Sequence, residues 1–243
     1  MTALEVSDLT RSFGALRVVD GVSFSLEGGT ALGVVGPNGA GKTTLLNLLD
    51  GVVAADRGRV VLGGRDLTRA DAATRCRAGI GRTHQVPRPF TGMTVFENAL
   101  VGAVHGAGLR GSAAQDAALD ALRRTGLDDR ADTLAGSLRL LDRKRLELAR
   151  ALACGPALLL LDEIGGGLTD AELPELVALV RDVRDRGTTV VWIEHIVHAL
   201  VSVVDTMMCL ASGKVLATGT PDAVLADPQV REVYLGLGVE GLA

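Results

Sequence analysis

The sequence predicts an α/β fold: a parallel sheet covered by helices, an antiparallel β layer ahead of it, and a helical lobe inserted into the middle of the chain. Three observations predict it. In the last third of the chain, short apolar runs alternate with amphipathic stretches of helical period, the rhythm of a parallel sheet buried on both faces. A glycine-rich loop, GPNGAGKTT, separates the apolar run ALGVV from the helical stretch LLNLL. From about Val86 the texture becomes Ala-rich and helix-favouring before the apolar strands resume.

Taken in order, LEVSDL through GVSFSL alternates apolar and polar residues, as half-buried antiparallel strands do. TALGVVG is a short buried strand running into the glycine loop, which opens the helix KTTLLNLLDG, closed by Gly51. RVVLGG and GIGRTHQ read as further strands. Helices follow in TVFENALVGAV, SAAQDAALDALRRTG and DRKRLELARALAC, joined by Gly-rich turns. The chain then runs PALLLLDE (strand), TDAELPELVALVRDVRDRG (helix), TTVVWIEH (strand), IVHALVSVV (helix) and TMMCLAS (strand). The expected organisation is one domain over 1–243, with a core at about 1–85 and 155–243 and a helical subdomain at about 86–154.

Composition narrows the function classes. With 47% hydrophobic residues the chain can bury a full core, and a net charge of −4 without a basic stripe argues against a nucleic-acid partner. Cys76, Cys154 and Cys209 are widely spaced with no CxxC, and are expected to be reduced thiols acting as small buried hydrophobes. No charged-then-apolar leader and no apolar run near the ~20 residues of a membrane helix are seen, so the chain is expected to be neither secreted nor membrane-spanning.

Gly36, Gly39, Gly41, Lys42 and Thr43 fit G-x-x-x-x-G-K-[ST] in its required context, after a strand and before a helix. Glycines there let successive backbone N–H groups turn inward around a phosphate, to which the helix N-terminus adds partial positive charge. The flexibility of the loop is expected to serve an anion and not the core. Lys42 is expected to reach β- and γ-phosphates and the Thr43 hydroxyl to hold Mg²⁺, with Pro37, Asn38, Ala40 and Thr44 completing the ATP cradle. LLLLDE ends a buried strand in two carboxylates: Asp162 suits the Mg²⁺ shell, and Glu163 suits polarising a water for attack on the γ-phosphate. Adjacent strand residues point to opposite faces, so both reach one site only at the strand end.

At these residues the chain resembles the ATP-binding cassette of ABC transporters over nearly its whole length. The resemblance implies a P-loop NTPase fold: a RecA-like core with an antiparallel β subdomain and an inserted α-helical subdomain. It implies that Gln85 in GIGRTHQVPRPF contacts Mg²⁺ and the attacking water, that His195 in VVWIEH contacts the γ-phosphate, and that Phe13 in LTRSFG stacks on adenine. Trp192, His84, His105 and His198 carry no such correspondence; Trp192 is expected in the core and the histidines at the surface.

The sequence also departs from the family. Before ARAL the family carries a signature with a serine and two glycines that binds the ATP held by a partner cassette. Here Leu138, Arg139, Leu140, Leu141 and Asp142 occupy that place, with Arg139 for the serine and Leu140 and Leu141 for the glycines. Two readings stay open: Arg139 supplies charge to the opposite phosphate, or the opposite site binds ATP without efficient turnover. Thr169 in GGGLT stands where the family has an aspartate.

Within the family, GIGRTHQVPRPFTGMTVFENALVGA and the ending VREVYLG resemble cassettes of branched-chain amino-acid and related urea or amide uptake, with lipid-exporting cassettes close by. The resemblance implies an ATPase motor at the cytoplasmic face of the membrane, working through separate permease subunits and indirectly with a solute-binding protein. It implies a homodimer, or a heterodimer with a better-matched second cassette. The alternatives are a lipid-type transporter, a nucleotide-gated regulator with weak hydrolysis, a soluble kinase or GTPase, and a nucleic-acid-acting cassette.

Overall fold

The computed structural model describes residues 2–234. The alternating N-terminal segment forms two long strands, β1 (Thr2–Phe13) and β2 (Leu16–Glu27), paired antiparallel. Leu4 and Val6 point inward, a bulge resets the phase, and Leu9 is again fully buried. The next strand in sequence, β3 (Ala31–Val35), belongs to a second sheet and runs through the glycine loop into α1 (Lys42–Leu49). β4 (Arg57–Leu62) and β5 (Arg65–Asp66) return to the first sheet, giving the order β2-β1-β4-β5.

α2 (Ala72–Arg77) then leads to β6 (Ile80–Arg82). Arg75 on α2 is 2% exposed and serves the end of α1: its guanidinium donates to the carbonyls of Leu48, Leu49, Thr68 and Ala70 at 2.6–3.0 Å. Two of those carbonyls belong to the last turn of α1, where no intrahelical donor reaches them.

The helical segment follows as α3 (Val95–Val101), a π turn (Gly102–Gly106), α4 (Gly111–Thr125) and α5 (Leu140–Ala153). Thr94 and Glu97 start α3 with a reciprocal capping box. α4 buries Ala114, Ala118 and Ala121, small residues that let its neighbours approach closely. The remaining elements are β7 (Leu158–Asp162), α6 (Leu173–Asp185), β8 (Thr189–Ile193), α7 (Val197–Val201), β9 (Thr206–Ala211), β10 (Lys214–Gly219), α8 (Pro221–Ala226) and α9 (Pro228–Tyr234). The second sheet has the order β10-β9-β3-β8-β7-β6, parallel except for the β10 edge.

That sheet divides two cores, and the division explains the LLLL run. Leu158 and Leu160 pack with α1 and the antiparallel sheet; Leu159 and Leu161 pack with the helical segment, α6 and α7. A strand covered on both faces has no polar phase. Trp192 is fully buried, as expected.

Several expectations change. Helix α6 begins at Leu173, since Thr169–Glu172 form a turn closed by the Glu172 carboxylate on the Thr169 amide and hydroxyl. Of IVHALVSVV only Val197–Val201 is helical. β5, α2, β10, α8 and α9 were not anticipated; the ending VREVYLG runs into α9, and its last two residues lie outside the described ones. Cys209 is buried as expected, but Cys76 and Cys154 are only partly buried, and folding brings both to the lining of one cavity.

Candidate functional site

Two of the loop glycines are required by packing. A Cβ at Gly36 (φ +144°) would stand 2.0 Å from the Leu210 carbonyl oxygen, and one at Gly41 (φ +100°) would stand 2.3 Å from that of Val18. Gly39 (φ +80°) faces open space. The expectation that flexibility serves only an anion is therefore corrected: Gly36 and Gly41 also let the loop lie against neighbouring backbone, and Gly39 alone is free of that constraint.

The loop borders a cavity of 220 Å³ lined by Val18, Asn38, Gly39, Ala40, Gly41, Lys42, Thr43, Thr44 and Glu163. No side chain caps α1, and its first turn carries no acidic residue, so the N-terminal N–H groups of the helix are left for a ligand. Lys42 is 6% exposed, and its Nζ donates to the Gly36 and Pro37 carbonyls at 2.7 and 3.0 Å. Burial pushes the Lys42 pKa down, against the pull of Glu163 and Asp162. An ammonium held by neutral carbonyls beside uncapped N–H groups fits a polyanion.

Asp162 ends β7 at 4% exposure. Its Oδ1 lies 3.5 Å from Thr43 Oγ1, and its Oδ2 accepts from Arg82 Nη2 at 3.0 Å. Burial raises the Asp162 pKa and the Arg82 charge opposes the rise. Thr43 and Asp162 thus present a hydroxyl and a carboxylate oxygen side by side, a donor set of the hard type that suits Mg²⁺.

Glu163 follows with φ +48°, a left-handed conformation rare outside glycine. This turn brings both carboxylates to one site although they are adjacent in sequence. Glu163 Oε2 accepts from Gln85 Nε2 at 2.5 Å, and Oε1 lies 2.7 Å from His195 Nε2. The structure therefore brings Gln85, Glu163 and His195 together beside the loop cavity.

The other expected residues are more dispersed. Phe13, 47% exposed, lies near the tip of the β1–β2 hairpin, with the Arg11 guanidinium 4.8 Å over its ring. Leu138, Leu141 and Asp142 turn into their own chain; Asp142 accepts from Arg130 Nη1 at 2.6 Å. Only Arg139 and Leu140 of that stretch are exposed, ahead of and within the first turn of α5. His84 is half-exposed but contacts the buried Glu147 at 3.2 Å.

Sequence reading missed Arg82 and Glu194. Glu194, 2% exposed, accepts from the amides of Gly165 and His195 at 2.9 and 3.0 Å and so ties together the loops that carry Glu163 and His195. A charge closing an otherwise apolar strand run, as in IGR and VVWIE, was the available signal.

Comparison with known proteins is consistent across the chain. The family model described as ABC transporter matches residues 19–165, and the one described as branched-chain amino acid ATP-binding cassette transporter matches 214–239. The lipopolysaccharide export system ATP-binding protein LptB of Haemophilus influenzae is 33% identical over 236 residues, 97% of this chain and 98% of that protein. LptB of Acidithiobacillus ferridurans is 36% identical over 233 residues, 96% of each. The solved ADP conformation of MJ1267, an ATP-binding cassette of an ABC transporter, superposes with a TM-score of 0.87 at 30% identity, covering 98% of this chain and 100% of that one.

Proposed function

Since the chain belongs to the ABC transporter ATP-binding cassette family and is an ATPase of the P-loop fold, we propose that it is the motor subunit of a transporter whose membrane-spanning parts are separate chains. Among the described residues no helix is long and apolar enough to cross a membrane. We place it at the cytoplasmic face of a membrane complex, working as a dimer of cassettes with permease subunits.

The observation that carries the reading is the convergence of Gln85 and His195 on the two oxygens of Glu163, beside the phosphate cavity. In this reading Lys42 exchanges its two carbonyl partners for phosphate oxygens, and the α1 amides hold the rest of the phosphate chain. Thr43 and Asp162 hold Mg²⁺, which when bound neutralises phosphate charge. Glu163 accepts the proton of the attacking water, while Gln85 and His195 fix the direction of its carboxylate. Phe13 stacks on the adenine, and Arg139 with Leu140 faces the partner cassette.

For the cargo, the relatives that match over full length reverse the order that sequence motifs suggested. The two LptB proteins among them are lipopolysaccharide export cassettes, so a lipid-type glycoconjugate is the first reading. The match of residues 214–239 to the branched-chain amino acid model supports the second, which adds a solute-binding protein. ATPase stimulation in a reconstituted complex separates them: a glycolipid should stimulate in the first case, and a branched-chain amino acid with its binding protein in the second.

Glu163→Gln tests the motor itself. Hydrolysis should fall by roughly 10²–10⁴-fold while Mg-ATP binding persists, and light scattering should then show an ATP-dependent dimer. Unchanged hydrolysis would remove Glu163 from the role of base; a monomer that still binds ATP would point to a heterodimer.

A further inference from the structure

Away from the phosphate site, the edge of the core and the end of the helical segment share a second cavity, of 560 Å³. Two of its lining residues are thiols: Cys76 on α2 and Cys154, the residue that caps α5. Both are partly exposed. Cys154 Sγ donates to the Arg150 carbonyl at 3.4 Å, and a Cβ at Gly106 would lie 2.3 Å from this sulfur, so the missing side chain there makes room for it. The two thiols, far apart in sequence, line this one groove, and each is the largest influence on the other's proton.

That influence sorts the proton between them. The side chain of Cys154, helped by Arg77, outweighs burial and holds the Cys76 thiol down at about 7. The same pairing, together with burial, drives Cys154 well above the ordinary thiol range, against the charge of Arg150. The other charged or titratable side chains lining this cavity include Arg82, Arg88, His84 and His105, with Asp50 the one carboxylate among the lining residues. One accessible thiolate beside a protonated second thiol is the arrangement of a peroxide-reactive cysteine and its resolving partner.

We propose that Cys76 and Cys154 are an oxidisable dithiol, a modification site that takes a hydroperoxide as co-reactant and joins the core to the helical segment through a reversible disulfide. The Cys76 thiolate attacks one oxygen of hydrogen peroxide; the O–O bond breaks, leaving a sulfenic acid on Cys76 and releasing hydroxide. With the Cys76 thiolate consumed, the hydroxide just released takes the Cys154 proton as water; the Cys154 thiolate attacks the sulfenic sulfur, the S–O bond breaks, and the second hydroxide becomes water with the proton Cys76 had given up. Overall, two thiols and one peroxide give one disulfide and two waters: the sulfurs lose two electrons and the peroxide gains them. A dithiol reductant reverses the bond. The site is independent of the transport reading, since neither thiol lines the phosphate cavity.

The test uses the full-length reduced chain and hydrogen peroxide at neutral pH. Intact mass should show the loss of two hydrogen atoms, non-reducing digestion should give a Cys76–Cys154 cross-linked peptide, and dithiothreitol should restore the starting mass. Alkylation of Cys76 by iodoacetamide should titrate with a midpoint near 7. At pH 7 the larger thiolate fraction, discounted for lower nucleophilicity, gives roughly a three-fold faster rate than an ordinary thiol. Cys154→Ala should move the midpoint up to about 8.5, and in Cys76→Ser, checked as folded by circular dichroism, peroxide should leave Cys154 unmodified. A sulfinic acid on Cys76 without a cross-link, a cross-link through Cys209, or an ordinary alkylation midpoint would overturn the proposal.

Discussion

Arg82 binds the carboxylate of Asp162 to the end of α1: its Nη2 donates to Asp162 Oδ2 at 3.0 Å, while its Nη1 donates to Asp50 Oδ2 at 2.5 Å and Asn47 Oδ1 at 2.6 Å. All three charged side chains are about nine-tenths buried or more. One oxygen of Asp162 is thereby committed to the fold, and the other faces Thr43. Arg82→Met would leave two buried carboxylates without their cation, and denaturant unfolding should show a loss of about 3–5 kcal/mol. Arg82→Lys keeps the charge without the planar fork and should recover only part of it. A loss below about 1 kcal/mol in the Met variant would mean that the pair is no better than a solvated one.

Gln85 and His195 hold different oxygens of one carboxylate, so their effects should not multiply. In steady-state ATPase assays Gln85→Ala and His195→Ala should each lower kcat, and the double variant should fall less than the product of the two. A coupling of about 0.5–3 kcal/mol is expected for groups acting through a shared partner. Strict additivity would show that the two residues act separately.

The loop glycines should separate folding from binding. Gly36→Ala forces a Cβ to within 2.0 Å of the Leu210 carbonyl, and the soluble folded fraction should collapse. Gly39→Ala meets nothing within 4 Å and carries only the left-handed penalty of roughly 1–2 kcal/mol. Thermal unfolding compared with nucleotide affinity checks this: the Gly39 variant should stay folded. Equal damage at both positions would refute the distinction.

Acid stability carries a signature of the antiparallel sheet. The Thr68 hydroxyl and amide and the Arg59 guanidinium hold the Asp66 pKa at about 2, below its ordinary 3.8. A depressed carboxylate contributes stability that is fully present above the ordinary value and is lost as pH falls from there through about 2. Asp66→Asn should lower Tm near neutrality and flatten the decline of Tm over that acid window. An unchanged acid limb would show that other carboxylates govern it.

The legible parts of the fold were those where one local rule acts alone. The phosphate loop, the LLLL strand and the DE pair could be read because spacing and periodicity fix them within a few residues. Glu163 was read as a base, yet its route to the site is a backbone turn at φ +48°, which nothing in LLLLDE announces. Arg82, Arg75 and Glu194 were missed because their meaning lies in partners distant in sequence: a buried charge is stable only when folding brings its counterparts to it. Cys76 and Cys154 failed for the same reason, since wide spacing in sequence said nothing of the cavity they share. The Leu138–Asp142 stretch was placed ahead of a helix beginning at Asp142, whereas α5 begins at Leu140, and which of its side chains face outward became visible only when Asp142 found Arg130.

β6 and β7 are parallel neighbours, Ile80 opposite Leu158, and the whole helical segment is the path from one to the other. A parallel pair cannot be closed by a tight turn, because the second strand starts where the first one started. The returning helix α5 packs against β6 on its way back to the sheet. The lobe is therefore not an accessory that could be trimmed away: excising it would leave β6 with no route back to β7, and the paired carboxylates at the far end of β7 would lose one of the two strands that flank it.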